Sequence, residues 1–478
     1  MLVDNLMGVG RLVARPLASP LVKVALTGSA ATLSDRLKGM LERVLADMPW
    51  RVEFTDWTGR KFELGGHETH WGGGETLKVH IKTVAAGRDL LALDGFSFLE
   101  RFLTQEVDFS SFYMLHDLKG LLNLTIINPL HVATNLASVL AFQDTKQAGI
   151  NVSNHYDMPE TAVRKWLDSE YASYSCAIFE DPHNLNREEL RRIGKGQEDN
   201  WDSLEKAQWR KFKDAAEWLN PASGETTLDV GCGYPGYLRT HMELFPNAGK
   251  VVGWTHSDNQ VRHGIQLLDK FDPNRYELNH GDYREEFEGV SSVNGTVGNM
   301  RSLRNHPKRI FDCIQSTGMI CHVGPGKGLS EYVKNCRALI RKGGRMVHHC
   351  MMEPYSTVPL DFHIGSAFCK KYVWPGFHWY GLAEHISTLQ ENGFKVMLSR
   401  DLTAHYAKTT MAWAERYTAN SEAIRAAFDR CAEQRLKAGQ VPMGTEETFR
   451  SMQLFLGASP GGFITGSIQI NRLYCVAV

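Results

Sequence analysis

A hydrophobic strand that ends near an acid and runs into a glycine-rich turn is the stretch best suited to bind a ligand. It reads Leu228-Asp229-Val230-Gly231-Cys232-Gly233-Tyr234-Pro235-Gly236, with a helical segment at 237–244 and a second short strand at 251–254. This order predicts a nucleoside-binding βαβ unit. The glycines let the backbone approach a ligand, because no Cβ stands in the way. The residues predicted to contact the ligand are Asp229, Gly231, Gly233 and Gly236.

The position of the acid distinguishes this turn from a pyrophosphate-binding glycine motif. Asp229 stands two residues before the first glycine, Gly231. The pattern resembles the first motif of S-adenosylmethionine (SAM) methyltransferases, in which the glycine turn lies against the methionine part of the cofactor. The alternative is a strand–turn–helix corner in some other α/β protein.

Further polar motifs accompany the glycine turn, and three of them follow strands, where ligands bind beyond the carboxyl ends of a parallel sheet. The second strand ends without an acid for the ribose hydroxyls, and Thr255 and Gln260 offer neutral donors and acceptors instead. Asp282, after the third strand, is placed to meet an adenine amino group. The motifs are His155-Tyr156-Asp157, Tyr174-Ser175-Cys176-Ala177, Thr255-His256-Ser257, Gly281-Asp282-Tyr283, Met319-Ile320-Cys321-His322-Val323-Gly324 and, after Tyr406, Thr409-Thr410-Met411-Ala412-Trp413.

Together these motifs resemble the cyclopropane fatty acid synthase family, which includes the mycolic acid methyltransferases. The resemblance runs from about Asn151 to the C-terminus. The N-terminal part is similar to the accessory domain of longer bacterial members through residues 57–66 and 77–82. The resemblance implies that SAM is the cofactor and that Asp282 lies near its adenine. It implies that the residues holding SAM are Tyr174, Ser175, Gly231, Thr255 and Gln260.

The resemblance also implies a reaction. The family uses the electrophilic methyl of SAM to alkylate a cis double bond in a lipid acyl chain. Methyl transfer leaves a carbocation, which aromatic faces such as those of Tyr174 and Tyr406 can stabilise. The family's base is a bound bicarbonate. The resemblance places it against the backbone of Cys176, a glutamate, His349 and Tyr406.

Cys321 departs from the family pattern, because it stands where the family carries the glutamate of an F-E-H motif. A thiol is a weak hydrogen-bond partner, and we expect it to be neutral. The departure concerns the deprotonation step rather than methyl transfer. We therefore expect a lipid C-methyltransferase that need not close a ring, and whose product is a methyl-branched or methylene-bearing chain or a cyclopropane. The alternative is that Glu331 or Glu353 supplies the carboxylate.

Two other functions are consistent with the same residues. One is a SAM methyltransferase that acts on a small molecule or a nucleic acid. The other is a non-catalytic subunit that binds SAM or lipid. The formal net charge of −1 argues against nucleic acid, since neutralising phosphates needs a basic face.

We expect a cytoplasmic enzyme that associates peripherally with the inner face of the membrane. No stretch reaches the eighteen or so unbroken apolar residues of a membrane span. The nine cysteines include no C-x-x-C pair, so we expect reduced thiols and no metal site. The partners we expect are unsaturated phospholipid acyl chains, and the family precedent suggests a homodimer.

The elements that must position these residues alternate between strands and helices from about residue 156 onward. This predicts an α/β fold: a Rossmann-like class I methyltransferase with a mostly parallel seven-stranded sheet, plus a small N-terminal α+β domain. The predicted domains are an accessory lipid-binding-like domain at 1–130, a connection at 131–155 and a methyltransferase domain at 156–478. Residues 289–309 form a long polar loop.

Several local predictions can be compared with the structure. We predict a helix over 34–48 capped by Ser34, helices over 90–109 and 112–122, and a hairpin turn at 58–60. The basic run at 206–213 is interpreted as a solvated helix face. We interpret His256, His348 and His363 as structural residues. The aromatic run at 377–380 either lines an acyl tunnel or packs in the core.

Overall fold

The protein forms two packed units, each built on its own sheet. The computed structural model describes residues 27–46, 48, 51–66, 76–92, 94–112, 158–180, 202–284, 310–353, 364–374, 377–439, 444–464 and 466–478. The segments 131–155 and 289–309, most of the helix predicted over 112–122, the His155-Tyr156-Asp157 motif and His363 lie outside the described residues. The domain boundary near residue 130 therefore remains a prediction.

The N-terminal unit is a four-stranded sheet covered by helices. Its strands are β1 (Arg51–Thr55), β2 (Lys61–Gly65), β3 (Thr76–Ile81) and β4 (Val107–Phe109), in the order β2-β1-β3-β4. The pair β1–β2 is antiparallel, as the predicted hairpin requires, whereas β1–β3 is parallel. Its helices are α1 (Ala30–Val44), α2 (Val84–Leu91) and α3 (Gly95–Leu103).

Two predicted helices of this unit are wrong in their bounds. The first begins at Ala30, because Ser29 accepts a hydrogen bond from the Thr32 amide and caps it. Ser34 is buried instead and donates to Asp56. The helix predicted over 90–109 is interrupted, because Asp94 accepts from the Ser97 amide and starts a new helix. Its last residues pair with β3 as strand β4.

The second unit contains the predicted seven-stranded sheet. Its order is β10-β11-β9-β8-β5-β6-β7. The five strands from β9 to β7 pair in parallel, and β11 pairs antiparallel with both β9 and β10. The strands are β5 (Thr227–Val230), β6 (Val251–Thr255), β7 (Tyr276–His280), β8 (Phe311–Thr317), β9 (Ile340–Met352), β10 (Phe394–Asp401) and β11 (Gln469–Ala477).

Helices cover both faces of this sheet, which confirms the predicted α/β fold. Every residue of β5 is buried, as expected for an interior parallel strand. Short 3-10 turns occur at Pro273–Arg275 and Ile320–His322. The helices are α4 (Glu160–Val163), α5 (Leu204–Leu219), α6 (Gly236–Leu244), α7 (Asp258–Leu268), α8 (Gly328–Leu339), α9 (Ile364–Tyr372), α10 (Leu382–Glu391), α11 (Thr403–Ala419), α12 (Ser421–Lys437) and α13 (Thr445–Ile464).

The two units meet through α3 and the C-terminal helices. Phe96 and Phe102 of α3 belong to the same buried cluster as Trp413 of α11. Arg450 of α13 donates to the Phe102 carbonyl at 2.7 Å and pairs with Asp108 at 2.9 Å. The units therefore share a core. Within the described ranges, no helix is both long enough and apolar enough to span a bilayer.

Candidate active site

The glycine turn after β5 is fixed in place by its neighbours. Gly231 has a φ of +72°, and a Cβ added there would lie 2.6 Å from Met319 Cγ. The Cys232 amide donates to the Trp254 carbonyl at 2.8 Å, which ties the turn to β6. Only glycine fits the left-handed backbone and the close packing at Gly231.

A cavity of about 150 Å³ opens beside this turn, at the carboxyl ends of β5, β6, β7 and β8. Eight of the residues predicted to bind the cofactor line it. Gly236 does not, because it begins α6 and packs under Phe212 and Tyr171. The eight are Tyr174, Ser175, Asp229, Gly231, Gly233, Thr255, Gln260 and Asp282.

Asp229 is a carboxylate suited to a cationic ligand. It is only 2% exposed, and its Oδ1 atom has no hydrogen-bond partner among the described residues. Burial raises the pKa of Asp229 to about 8, against the pull of the Lys211 charge. A buried carboxyl without a partner is costly, and an ammonium group from a ligand would stabilise its ionised form.

Asp282 is held differently, although it lines the same cavity. Burial opposes its ionisation, but Arg284 and His256 outweigh burial and keep the pKa of Asp282 below its usual value. His256 Nε2 lies 3.3 Å from Asp282 Oδ2. Asp282 is therefore an ionised acceptor that can take a hydrogen bond from a ligand amino group.

Lys211 is a candidate site residue that the sequence analysis missed. The prediction that 206–213 is a solvated face is wrong for Lys211, which is 0% exposed. Its Nζ donates to Ser175 Oγ at 2.9 Å and also to Ser173 Oγ. Burial lowers the pKa of Lys211 below that of a free lysine. The spacing of Leu204, Ala207, Lys211 and Ala215 already placed it on the apolar stripe of α5.

A second cavity, of about 200 Å³, lies between the two units and is lined mainly by apolar side chains. One wall comes from the N-terminal unit and includes Phe98 and Phe109. The opposite wall comes from the helices around the large sheet. Its aromatic and polar residues there include Trp374, Trp379, Tyr406, Thr410, Trp413 and Ser366.

A pair of stacked rings connects the two cavities. Tyr174 lines the cavity beside the glycine turn, and Trp413 lines the apolar cavity. Their ring centroids are 5.0 Å apart, at an interplanar angle of 30°. The Tyr406 ring packs edge-on against Trp413 at 5.9 Å. The two cavities therefore meet at this ring pair. A reactive group of a ligand in the first cavity would lie on one side of the rings, and an apolar chain in the second cavity would lie on the other.

Three of the four predicted catalytic residues line neither cavity. Cys176 and Cys321 are buried thiols, and burial raises the pKa of each to about 12. Cys321 Sγ donates to the Gly318 carbonyl at 3.2 Å. His349 is buried as well, and Tyr406 alone of the four lines the apolar cavity.

Arg472 controls the state of His349. Its Nε donates to His349 Nδ1 at 3.1 Å, so the imidazole proton sits on Nε2. Burial and the Arg472 charge hold the pKa of His349 well below its usual value. His349 Nε2 has no hydrogen-bond partner within the described part of the chain. His349 is therefore a neutral donor there, and not a base.

Two other residues considered from the sequence lie on the glycine-turn cavity. His322 and Glu331 both line it, and neither lines the apolar cavity. Burial lowers the pKa of His322 to about 4, so the ring is neutral at physiological pH. Glu331 is on α8, beside Arg284.

The comparison of this chain with protein families agrees with the geometry. The sequence model of a family described as "Mycolic acid cyclopropane synthetase" matches residues 143–472. The chain belongs to this family. It is a SAM-dependent methyltransferase of a lipid-modifying family, and S-adenosyl-L-methionine is its cofactor.

Individual relatives are distant. A "Probable fatty acid methyltransferase" from Pseudomonas putida is 28% identical over 331 residues, which cover 68% of each chain. "Probable fatty acid methyltransferase Rv3720" from Mycobacterium tuberculosis is 26% identical over 279 residues, and the match spans 54% of that relative. The solved structure of "mycolic acid cyclopropane synthase CmaA1 complexed with SAH and CTAB" has a TM-score of 0.52 and 22% identity. It covers 69% of this chain and 98% of its own. That likeness supports the fold.

The methyltransferase's first cavity fits SAM on the evidence of its own residues. SAM carries an ammonium group and a sulfonium cation. The unpartnered Asp229 Oδ1 suits a cation, and the absence of a Cβ at Gly231 and Gly233 allows the backbone to approach. The chemistry that SAM supplies when bound is an electrophilic methyl group.

Proposed function

We propose that this enzyme is a C-methyltransferase that alkylates a cis double bond in unsaturated phospholipid acyl chains. The observation that carries the proposal is the apolar cavity, which meets the cofactor cavity at the Tyr174–Trp413 ring pair. An apolar cavity suits a hydrocarbon chain, because each buried CH₂ contributes about 0.8 kcal/mol. The names of the relatives, which include fatty acid methyltransferases, support the same acceptor.

The residues that hold the cofactor follow from the first cavity. We assign the ammonium group to Asp229 and the adenine amino group to Asp282, since both are carboxylates on its wall. Thr255 donates to Gln260, which orients that amide beside Gly233. Ser175 is oriented by Lys211. With SAM bound, these groups would hold the cofactor, and its electrophilic methyl group would be what an alkene attacks.

Aromatic rings suit the charge that methyl transfer creates. An alkene that takes up a methyl cation becomes a carbocation, which the packed rings of Tyr174, Trp413 and Tyr406 would stabilise where the cavities meet. Exclusion of water also matters, because water would trap the cation. The lining of the apolar cavity supplies that exclusion.

The described residues do not reproduce the bicarbonate site that the family resemblance implies. Cys321 is a neutral thiol where a carboxylate is expected, and the acceptor nitrogen of His349 is occupied by Arg472. We therefore derive no ring-closing step. If the carbon that carries the new methyl group loses its proton, the product is a methyl-branched alkene. If its hydrogen first moves to the cation as a hydride and the methyl group then loses a proton, the product is a methylene-bearing chain. In both cases the proton passes to solvent, and we propose these chains as the main product.

We further propose that the N-terminal domain, predicted over residues 1–130, acts as an accessory lipid-binding domain and that the enzyme works at the membrane surface. Support comes from the wall that Phe98, Phe109 and their neighbours contribute to the apolar cavity. A lipid that stays in its bilayer leaves the headgroup outside while one acyl chain enters this cavity.

The decisive experiment incubates the purified enzyme with methyl-labelled SAM and vesicles of dioleoyl phospholipid, followed by mass analysis of the released fatty acids. We expect a mass gain of one CH₂ unit in the oleoyl chain, with a branched or methylene-bearing pattern. A clean cyclopropane product would contradict the proposed product. Labelling of small molecules but not of any lipid would contradict the acceptor, and SAM left intact would favour a non-catalytic binding subunit.

A further inference from the structure

Three metal-ligating side chains converge in the layer between β9 and α10, outside both cavities. His348 and Cys350 project from the same face of β9, and His385 lies on α10. All three are at most 1% exposed. One ligating atom from each lies within 4.8 Å of the others.

The separations are those of side chains in direct contact. His348 Nε2 lies 3.1 Å from His385 Nδ1 and 3.3 Å from Cys350 Sγ. The contact of Cys350 Sγ with His385, at 3.9 Å, is made through the other ring nitrogen, Nε2, so an ion would use one of the two nitrogens of His385. Zinc bonds of about 2.0–2.1 Å to nitrogen and about 2.3 Å to sulfur place tetrahedral ligand atoms about 3.3–3.6 Å apart. The ligand atoms, which all lie within 4.8 Å of one another, would therefore draw together around an ion.

Tyr332 fixes which nitrogen of His348 faces the cluster. Its hydroxyl lies 3.2 Å from His348 Nδ1, which leaves Nε2 for a ligand. A hydrogen bond on the second ring nitrogen is the usual support of a metal-bound histidine. Burial lowers the pKa of His348 to about 4 and that of His385 well below its usual value, so both rings are in the neutral form that binds metals.

We propose that His348, Cys350 and His385 bind one thiophilic d¹⁰ metal ion, Zn²⁺ or Cu⁺. Sulfur and imidazole ligands suit both ions. On binding, the Cys350 thiol releases its proton to solvent, and the thiolate forms the metal–sulfur bond. With Cu⁺ the site has no net charge. With Zn²⁺ it carries +1, and among the described residues no carboxylate contributes to the pKa of any of the three ligands.

A metal-free hydrogen-bonded chain is the competing explanation of the same contacts. In that arrangement the Tyr332 hydroxyl donates to His348 Nδ1, His348 Nε2 donates to His385 Nδ1, and His385 Nε2 donates to Cys350 Sγ. This chain satisfies every ring nitrogen without an ion. The experiment must therefore detect the ion itself.

The position of the cluster gives the ion a structural role. The Tyr380 ring packs edge-on against His385, with 6.0 Å between ring centroids. The Tyr380 hydroxyl donates to the Gly324 carbonyl and accepts from the Leu329 amide. An ion would thus tie β9 and α10 to the 318–328 turn, which carries Met319 and His322 on the wall of the cofactor cavity.

The test titrates the full-length, reduced, metal-free protein with Zn²⁺ and with Cu⁺ against a coloured competing chelator. We expect one equivalent of at least one ion to bind, and X-ray absorption of the loaded protein to show nitrogen and sulfur neighbours. The thermal midpoint of the wild type should rise with the ion. Failure of the wild type to bind either ion, or a spectrum without sulfur, would overturn the proposal whatever the variants do.

Matched variants locate the site. Cys350→Ser and His385→Gln should each weaken binding at least tenfold. Cys313→Ser should retain it, because Cys313 is equally buried but lies on the other face of the sheet. Circular dichroism establishes that each variant is folded. Retained binding in a folded Cys350→Ser protein would overturn the assignment.

Discussion

Lys211 Nζ donates to Ser175 Oγ at 2.9 Å, so a fully buried lysine stands directly behind a residue of the cofactor cavity. The same Nζ donates to Ser173. One side chain of α5 therefore orients the two serines that flank Tyr174. We propose that Lys211 acts on the cofactor through these hydroxyls, as a positioning residue.

Lys211→Met should weaken SAM binding about tenfold or more, because hydrogen bonds to a charged group contribute about 1.5–3 kcal/mol. Isothermal titration with SAM measures the effect. Lys213→Met is the matched control, since Lys213 is on the same helix but pairs with Glu217 at the surface. Equal affinities for wild type and Lys211→Met would show that the serines keep their orientation without the lysine.

SAM affinity should fall as the pH is lowered from 8 to 6. The carboxyl of Asp229 has a pKa of about 8 in the folded protein, so it gains a proton in this range and can no longer pair with an ammonium group. Removal of the charge in Asp229→Asn should weaken binding at pH 8 and flatten the dependence. An unchanged pH profile in Asp229→Asn would assign the titration to another group.

The same shift affects the stability of the cofactor-free enzyme. A raised carboxyl pKa means that the folded state holds a proton that the unfolded chain has released between about pH 4 and pH 8. The contribution of Asp229 to stability is therefore lost as the pH rises through this range. In denaturant unfolding, the free energy of unfolding of Asp229→Asn should lack the part of the pH dependence that comes from this carboxyl.

Gly231→Ala should destabilise the protein by about 1–3 kcal/mol, because the new Cβ meets the Met319 side chain in a left-handed backbone. Gly224→Ala separates the two causes. Gly224 also has a positive φ, of +79°, but a Cβ there has nothing within 4 Å. Urea unfolding should show the smaller loss for Gly224→Ala, and only Gly231→Ala should weaken SAM binding. If the two variants lose the same free energy of unfolding, backbone strain alone explains the effect of Gly231→Ala.

Cys321→Ser should leave the product distribution unchanged, because a thiol with a pKa of about 12 is not a base at neutral pH. Cys321→Glu should increase the cyclopropane fraction, since it restores the carboxylate of the family pattern. Gas chromatography with mass detection of the fatty acids measures both. Loss of turnover in a folded Cys321→Ser enzyme would mean that the thiol itself takes part in catalysis.

Ser366→Leu should raise the KM for phospholipid several-fold and leave SAM affinity unchanged. Ser366 is buried on the wall of the apolar cavity, and its Oγ has no hydrogen-bond partner among the described residues, so a larger side chain would occupy the space of the acyl chain. Ser387→Leu, on the exposed face of α10, is the control. A parallel loss of SAM binding in Ser366→Leu would indicate a general distortion of the core.

The sequence was sufficient where local chemistry determines structure. The Asp229–Gly236 turn and the strands around it were predicted because a buried parallel strand followed by glycines has few alternative conformations. The helix start at Ala30 was missed because Ser29 and Ser34 are equally plausible caps in sequence. The choice depends on Asp56, which binds Ser34 from another element.

Long-range pairings could not be predicted from sequence. Arg472 lies 123 residues from His349, and no local pattern indicates that its guanidinium occupies the acceptor nitrogen of that imidazole. The apolar cavity likewise needs α3 and α13 to be packed together before its walls exist. Lys211 lies between these cases. Its helical spacing indicated the buried face of α5, but its charge led to the prediction that it faces solvent.

The shared walls of the apolar cavity also bear on how such enzymes diverge. The glycine turn and the cofactor carboxylates are encoded wholly after residue 227, whereas Phe98 and Phe109 come from the first quarter of the chain. Recombination that exchanges only this first quarter would replace one wall of the apolar cavity and leave the glycine turn and the cofactor carboxylates unchanged. Mutations in the first quarter of the chain can therefore change the shape of the apolar cavity without changing the carboxylates of the cofactor cavity.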